Sequence, residues 1–342
     1  MTGVAALSDD QLAAELEKLA SAEETRCQGE FLAMLREDAL LYRGRGTTEA
    51  ERLRAFVMAR LARGGLADAM TAYVVEELES GTNPYTVAAA ARAVQAMSAP
   101  PLDTVSLLEG AIERIRPVDD FVHLDVYPAP PGVAPTTAVA ELVATLRQQE
   151  SRAQPPDSCC CAGGEAAEPH PLAPSIGALR DVELQNQDGT TARFAETFGG
   201  RAGVIAFFYT RCMTPDKCSR TVGLLGQVHK RVRNERPESQ AVVAGITYDP
   251  DYDLPHRLYR YGVDRGLVFS ETCQLLRSVG PFAPIRETLQ LGVGYGDSTV
   301  NRHRIELILI DRAGEISARK LRRLWEADEI ASAVLALDRV SA

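Results

Sequence analysis

The sequence lacks any hydrophobic run long enough to cross a bilayer. No stretch approaches the roughly 18 consecutive apolar residues that a spanning helix needs, so no membrane anchor is expected. Excess positive charge is missing too: 37 Lys and Arg stand against 47 Asp and Glu, for a net charge of -10. That excludes an overall basic footprint for nucleic acid. Cysteine is too sparse for a disulfide scaffold, with seven in 342 residues. The first residues carry Asp9, Asp10, Glu15 and Glu17 instead of a basic start and an apolar stretch. A secretory leader is therefore not expected, and the cytoplasm is the expected compartment. In a reducing compartment, clustered thiols point to metal binding or redox work, not to staples.

A chain of this length favours two domains, each able to bury a core. Residues 1–127 read as all-helical. Ser8 can cap a helix running through Leu12, Leu16 and Leu19. Thr47 or Thr48, with Glu51 behind, forms a capping-box-like start. Leu53, Phe56, Val57 and Leu61 follow at helical spacing. Leu66 to Leu78 is a further helix, Pro84 suits a first helical turn, and Val87 to Met97 is Ala-rich and helical. Pro100 and Pro101 break that helix before Leu107 to Ile115 resumes. The starts at Thr47 and Pro84 lie about 37 residues apart, close to the HEAT period. Residues 47–125 resemble an α-solenoid of HEAT type, with an irregular helical bundle as the alternative. Such a region offers surface to a protein partner.

Residues 128–173 form a connector: Pro128, Pro130, Pro131 and Pro135, a helix from Thr137 to Arg152, then a Pro/Gly/Ala-rich stretch without periodicity. In residues 174–342 the pattern changes to short apolar runs separated by helical segments. Val204–Tyr209, Ala241–Ile246 and Ile305–Ile310 (apolar apart from Glu306) read as buried strands. Ser219–Arg233, Leu254–Tyr261, Cys273–Val279 and Trp325–Leu337 read as helices. Asp311-Arg312-Ala313-Gly314 reads as a turn into a return strand. This is an α/β layered domain.

Chemistry concentrates in Phe207-Phe208-Tyr209-Thr210-Arg211-Cys212-Met213-Thr214-Pro215-Asp216-Lys217-Cys218. A strand ends, a loop follows and a helix begins, with Thr214 as cap and Pro215 in the first helical position. Cys218 then falls in the first turn, where the helix dipole favours a thiolate. Were the whole segment helical, the cysteines would sit about 9 Å apart along the axis. A loop between them is thus required for any shared role. Two thiolates at a helix start suit a soft metal such as Cu(I), or reversible disulfide chemistry. Asp249 and Asp253 read as caps of the next helix, and Met213 as an ordinary loop side chain.

The phrase Phe-x-Tyr-Thr-x-Cys…Cys, then Asp249-Pro250-Asp251-Tyr252-Asp253, His303 two residues before a strand, and Asp311-Arg312-Ala313-Gly314 occur in order. Together they resemble the Sco/SenC family, thioredoxin-like proteins linked to copper delivery to cytochrome oxidase. The resemblance implies a thioredoxin-like C-terminal domain and copper ligation by Cys212, Cys218 and His303. Five residues separate the cysteines here, where the family has three. Arg302 and Arg304 flank the histidine, where they favour a neutral ring and equally suit an anionic substrate.

Cys159, Cys160 and Cys161 are consecutive within the connector, followed by Gly163 and Gly164. They suggest auxiliary thiols that pass a metal ion or a disulfide to Cys212 and Cys218, with His170 as a further candidate ligand; inert linker thiols are the alternative. Three functions follow: a soluble Cu(I)-handling protein, a thiol–disulfide oxidoreductase using Cys212 and Cys218, or a non-catalytic interaction protein on a thioredoxin-like fold.

Overall fold

The computed structural model describes residues 11, 14, 28–129, 131–153 and 176–339. The helix expected after Ser8, Cys159–Cys161 and His170 lie outside these. The chain forms two compact units: Met1–Gly164 with Gly294–His303, and Glu165–Val293 with Arg304–Ala342.

The first unit is helical, as expected. Its longer helices are α1 (Thr47–Leu61), α2 (Thr71–Ser80), α3 (Pro84–Ala96), α4 (Thr104–Ile115) and α5 (Ala138–Ala153), and two short strands, β1 (Phe121–Val122) and β2 (Thr136–Thr137), pair antiparallel. Pro84 takes the first position of α3, and the Asn83 side chain accepts the Tyr85 amide at 2.9 Å, filling one of the orphan donors of the helix start. The capping box expected at α1 is not formed. Gly46 is the cap residue and offers no side chain, and Thr47 lies already inside the helix. Helix α3 packs against α1, α2 and α5. Its run of alanines, Ala88 to Ala91 and Ala93, is fully buried, and small side chains let neighbouring helices approach closely.

An ionic cluster lies inside this unit. Arg54, with no exposed surface, stands 3.4 Å from Glu37 and 3.5 Å from Glu77. A hairpin of β8 (Val293–Tyr295) and β9 (Val300–His303) completes the cluster. Its Arg302 pairs with Glu77 and stands 3.8 Å from Glu51. Asn301 donates to the carbonyls of Tyr42 at 2.9 Å and Arg45 at 3.1 Å. At Gly294 only glycine fits, since a Cβ there would lie 2.2 Å from the Glu37 carbonyl oxygen.

The second unit is α/β, with helices packed on a mixed sheet. Its seven-stranded sheet has the order β11-β10-β5-β6-β7-β3-β4. Strands β5 (Gly203–Phe208), β6 (Val242–Thr247) and β7 (Cys273–Ser278) run parallel at the centre. Strands β10 (Glu306–Ile310) and β11 (Ile316–Leu321) close one edge, antiparallel across the Asp311–Gly314 turn. At the other edge lie β3 (Glu183–Asn186) and β4 (Thr191–Arg193), also antiparallel. Helices α6 (Arg220–Glu235), α7 (Pro255–Val263) and α8 (Ala327–Arg339) connect or cover the sheet. Leu225 and Val228 of α6 share a core with Ile330 and Val334 of α8 and with Val204 and Leu307 of the sheet.

One sequence expectation is corrected here. Cys273–Ser278 is a strand, not a helix, pairing with β6 from Val243↔Cys273 to Ile246↔Leu276. A six-residue segment carries too little periodicity to separate the two, and pairing with a buried parallel neighbour decides it. Among the described residues no helix is long and apolar enough to cross a membrane.

Candidate metal centre

Strand β5 ends at Phe208, and the chain turns at once: the Cys212 amide donates to the Tyr209 carbonyl at 3.4 Å. After Thr214 the backbone winds into a wide helical turn, Pro215–Ser219, with Pro215 at its start, and this leads into α6. Thr214 holds the cap position without a side-chain bond. Cys212 lies in the loop, partly exposed, with its sulfur 3.6 Å from the Thr214 carbonyl oxygen. Cys218 lies in the turn and is buried. The seven-residue segment is thus bent where Pro215 enters, as a shared role for the two cysteines requires.

His303 ends β9 and is buried. One ligand atom each of Cys212, Cys218 and His303 lies within 4.8 Å of the others. That is about the span of two metal–ligand bonds of ~2.3 Å laid end to end. Two thiols and an imidazole form a soft, nitrogen-containing donor set, and the donors fit a thiophilic ion.

The expected thiolate at Cys218 is not what its surroundings favour. Burial pushes this thiol well above its ordinary range, and the neighbouring Cys212 adds to the rise; the charge of Lys217 only partly opposes it. Desolvation outweighs the helix start because the sulfur is enclosed before it can meet water. Deprotonation at this position therefore needs a partner that replaces the lost solvation, as a bound cation does.

Asp253 and Asp249 do not cap α7; Leu254 holds the cap position there. The buried Asp253 carboxylate instead accepts the Thr210 amide at 3.0 Å and the hydroxyls of Thr210 and Thr247. It pins the β5 end to the β6 end, two residues ahead of Cys212. Asp249 pairs with Arg211 at 2.5 Å, and the Tyr252 ring lies between Arg211 and Arg257, at 4.1 and 3.9 Å. The Cys loop is thus tied down on the side facing Asp249 and Asp253. Only the aspartate spacing signalled this in the sequence.

Arg302 and Arg304 are also corrected. Neither offers its charge to an anionic substrate: Arg302 is buried against Glu77, and Arg304 pairs with Glu306 at 2.9 Å. Met213 is 89% exposed, as an ordinary loop residue is. Sequence reasoning left Glu306 and Tyr248 aside. Glu306 was visible only as a lone carboxylate in an apolar strand.

Comparison with known proteins gives one family. Residues 178–269 match the SCO1/SenC family. No curated protein matches the chain. Solved structures similar to it include BsSco, described as a member of the Sco family of cytochrome c oxidase assembly proteins with a disulfide switch. BsSco is 20% identical, with a TM-score of 0.41, over 50% of this chain and 98% of that one. Arabidopsis thaliana ScoI with copper bound is 18% identical, with a TM-score of 0.38, over 46% and 96%. Bradyrhizobium japonicum ScoI with copper bound is 21% identical, with a TM-score of 0.36, over 46% and 96%.

Proposed function

From the premise that the C-terminal domain belongs to the SCO1/SenC family, we propose that this protein handles copper, holding Cu(I) through Cys212, Cys218 and His303. The observation that carries the reading is the approach of the three donor atoms to within 4.8 Å of one another. Two sulfurs and one imidazole nitrogen suit the low coordination number and softness of Cu(I). Enclosure of Cys218 and His303 shields such a site from water, while the partly exposed Cys212 leaves a path for the ion to enter and leave. When bound, the ion supplies the positive charge that makes a buried Cys218 thiolate tolerable.

The helical unit is proposed as the partner-binding part. Contacts of α1 with α3, α3 with α5, and α2 with α4 support a HEAT-type stacking of helix pairs.

Titration of the reduced protein with Cu(I), beside the Cys212→Ser, Cys218→Ser double variant, tests the proposal. One ion per chain is expected to bind in the parent and to be lost in the variant. Equal uptake by both overturns the copper reading. A metal-free disulfide-reductase assay on the same pair then decides whether these thiols serve exchange chemistry instead.

A further inference from the structure

Glu306 opens strand β10, in a segment whose neighbours are Ile305, Leu307, Ile308, Leu309 and Ile310. Only 1% of its surface is exposed. A carboxylate in such a place is costly unless several partners meet it. Here they do. Its Oε1 accepts the Tyr248 hydroxyl at 2.9 Å and the Gly292 amide at 2.9 Å. Its Oε2 lies 2.9 Å from the Arg304 guanidinium.

These partners are the two flanks of the candidate metal centre. Gly292 and Arg304 form the neck from which the β8–β9 hairpin departs and to which it returns. The Arg304 amide donates to the Gly292 carbonyl at 3.0 Å, and the Arg304 side chain donates to the Gln290 carbonyl at 2.7 Å. Arg304 also lies across Gly292 so closely that a Cβ there would fall 2.6 Å from its side-chain carbons. His303 is the residue immediately before this neck. On the other flank, Tyr248 follows β6, and its amide donates to the last carbonyl of β5, Phe208, at 2.7 Å. The buried Tyr248 ring stacks on Phe207 of β5, with centroids 5.8 Å apart. A single carboxylate therefore joins the neck beside His303 to the tyrosine held at the end of β5, from which the Cys loop departs.

We propose that Glu306 is a positioning residue for the metal centre, holding the Gly292–Arg304 neck, on which His303 stands, against Tyr248 at the end of β5. The inference rests on the copper reading above and deepens it. Glu306 acts through the backbone of the neck and through a phenol. Outer partners of this kind set ligand orientation, and their loss typically weakens metal affinity about 10–100-fold.

The test is a thermodynamic cycle. Cu(I) affinity is measured by competition with a chromophoric chelator in the full chain and in Glu306→Leu, Glu306→Gln, His303→Ala and the combined variants. Glu306→Leu is expected to weaken binding about 10–100-fold. Glu306→Gln keeps an acceptor for Tyr248 and Gly292 but drops the charge facing Arg304, so a smaller, several-fold loss is expected. Neither substitution should weaken binding further once His303 is alanine, because their effect passes through the imidazole. The nitrogen contribution in X-ray absorption of the copper-loaded variants should fall in step with affinity. If Glu306→Leu does not fold, Glu306→Gln and Tyr248→Phe carry the same cycle. Equal losses with and without His303, or unchanged affinity and nitrogen signal in the folded variants, overturn the positioning role and leave the copper reading standing. A parent chain that binds no Cu(I) overturns both.

Discussion

Asp253 holds Thr210 at two points, through the amide at 3.0 Å and through the hydroxyl, although 43 residues separate them. Together with the Thr247 hydroxyl, these bonds fasten the ends of β5 and β6 just before the Cys loop begins. Replacing Asp253 by alanine leaves a buried amide and two hydroxyls without their acceptor. A loss of about 2–3 kcal/mol in stability is expected, read from the urea midpoint. Cu(I) affinity should weaken as well, since Cys212 loses the anchor two residues before it. A variant with unchanged midpoint and unchanged affinity would show that the anchor is dispensable.

The same carboxyl gives a pH signature. Burial raises Asp253 above its ordinary value of 3.8, more than the bonds from Thr210 and Thr247 lower it. The folded state then holds the proton more tightly than the unfolded chain does. This contribution to stability is complete below the unfolded value and disappears as pH rises through the folded one. Asp253→Asn cannot titrate and serves as the reference. The stability of the parent minus that of the variant should fall as pH rises above the unfolded value of 3.8 and level off once pH has passed the folded one. A difference that rises over that interval contradicts the assignment.

Arg302 supplies a buried positive charge to Glu77, with Glu51 and Glu37 also facing it. Arg302→Met removes that charge and leaves the acidic side chains enclosed. The cost should be about 3–5 kcal/mol, measured by chemical denaturation of the full chain. Combining it with Glu77→Gln should recover part of the loss. Strict additivity of the two substitutions would mean that the pair is not coupled.

The two thiols of the candidate centre should differ in reactivity. Cys218 is buried and its proton is held tightly, whereas Cys212 is partly exposed. Iodoacetamide should label Cys212 first, with peptide mass spectrometry resolving the order, and bound Cu(I) should protect both. Faster labelling of Cys218 would require the turn at Pro215–Ser219 to open in solution.

The cysteine pair and His303 were legible because their residue types are chemically distinctive and their order along the chain is informative. Strands β5, β6 and β10 were legible for a similar reason: apolar runs such as Val204–Phe208 leave few alternatives. Strand β7 was not, since Cys273–Ser278 is too short for periodicity to outvote its composition, and only pairing with β6 settles it. Asp249 and Asp253 look like helix caps in the sequence because local spacing says nothing of Thr210 or Arg211, some 40 residues upstream in the chain. The arginines beside His303 failed for the same reason: their counter-charges are Glu77, far away along the chain, and Glu306, hidden in an apolar strand.

The hairpin Gly294–His303 also bears on the order in which the chain is made. The segments that hold Glu37, Arg54 and Glu77 leave the ribosome early, yet Arg302 follows Glu77 by 225 residues. Until that residue emerges, the enclosed Glu77 is without its Arg302 partner, and this buried ion pair waits for most of the chain to be synthesised. Translation that halts before residue 294 should therefore leave a nascent helical unit that is more open to protease than the finished one.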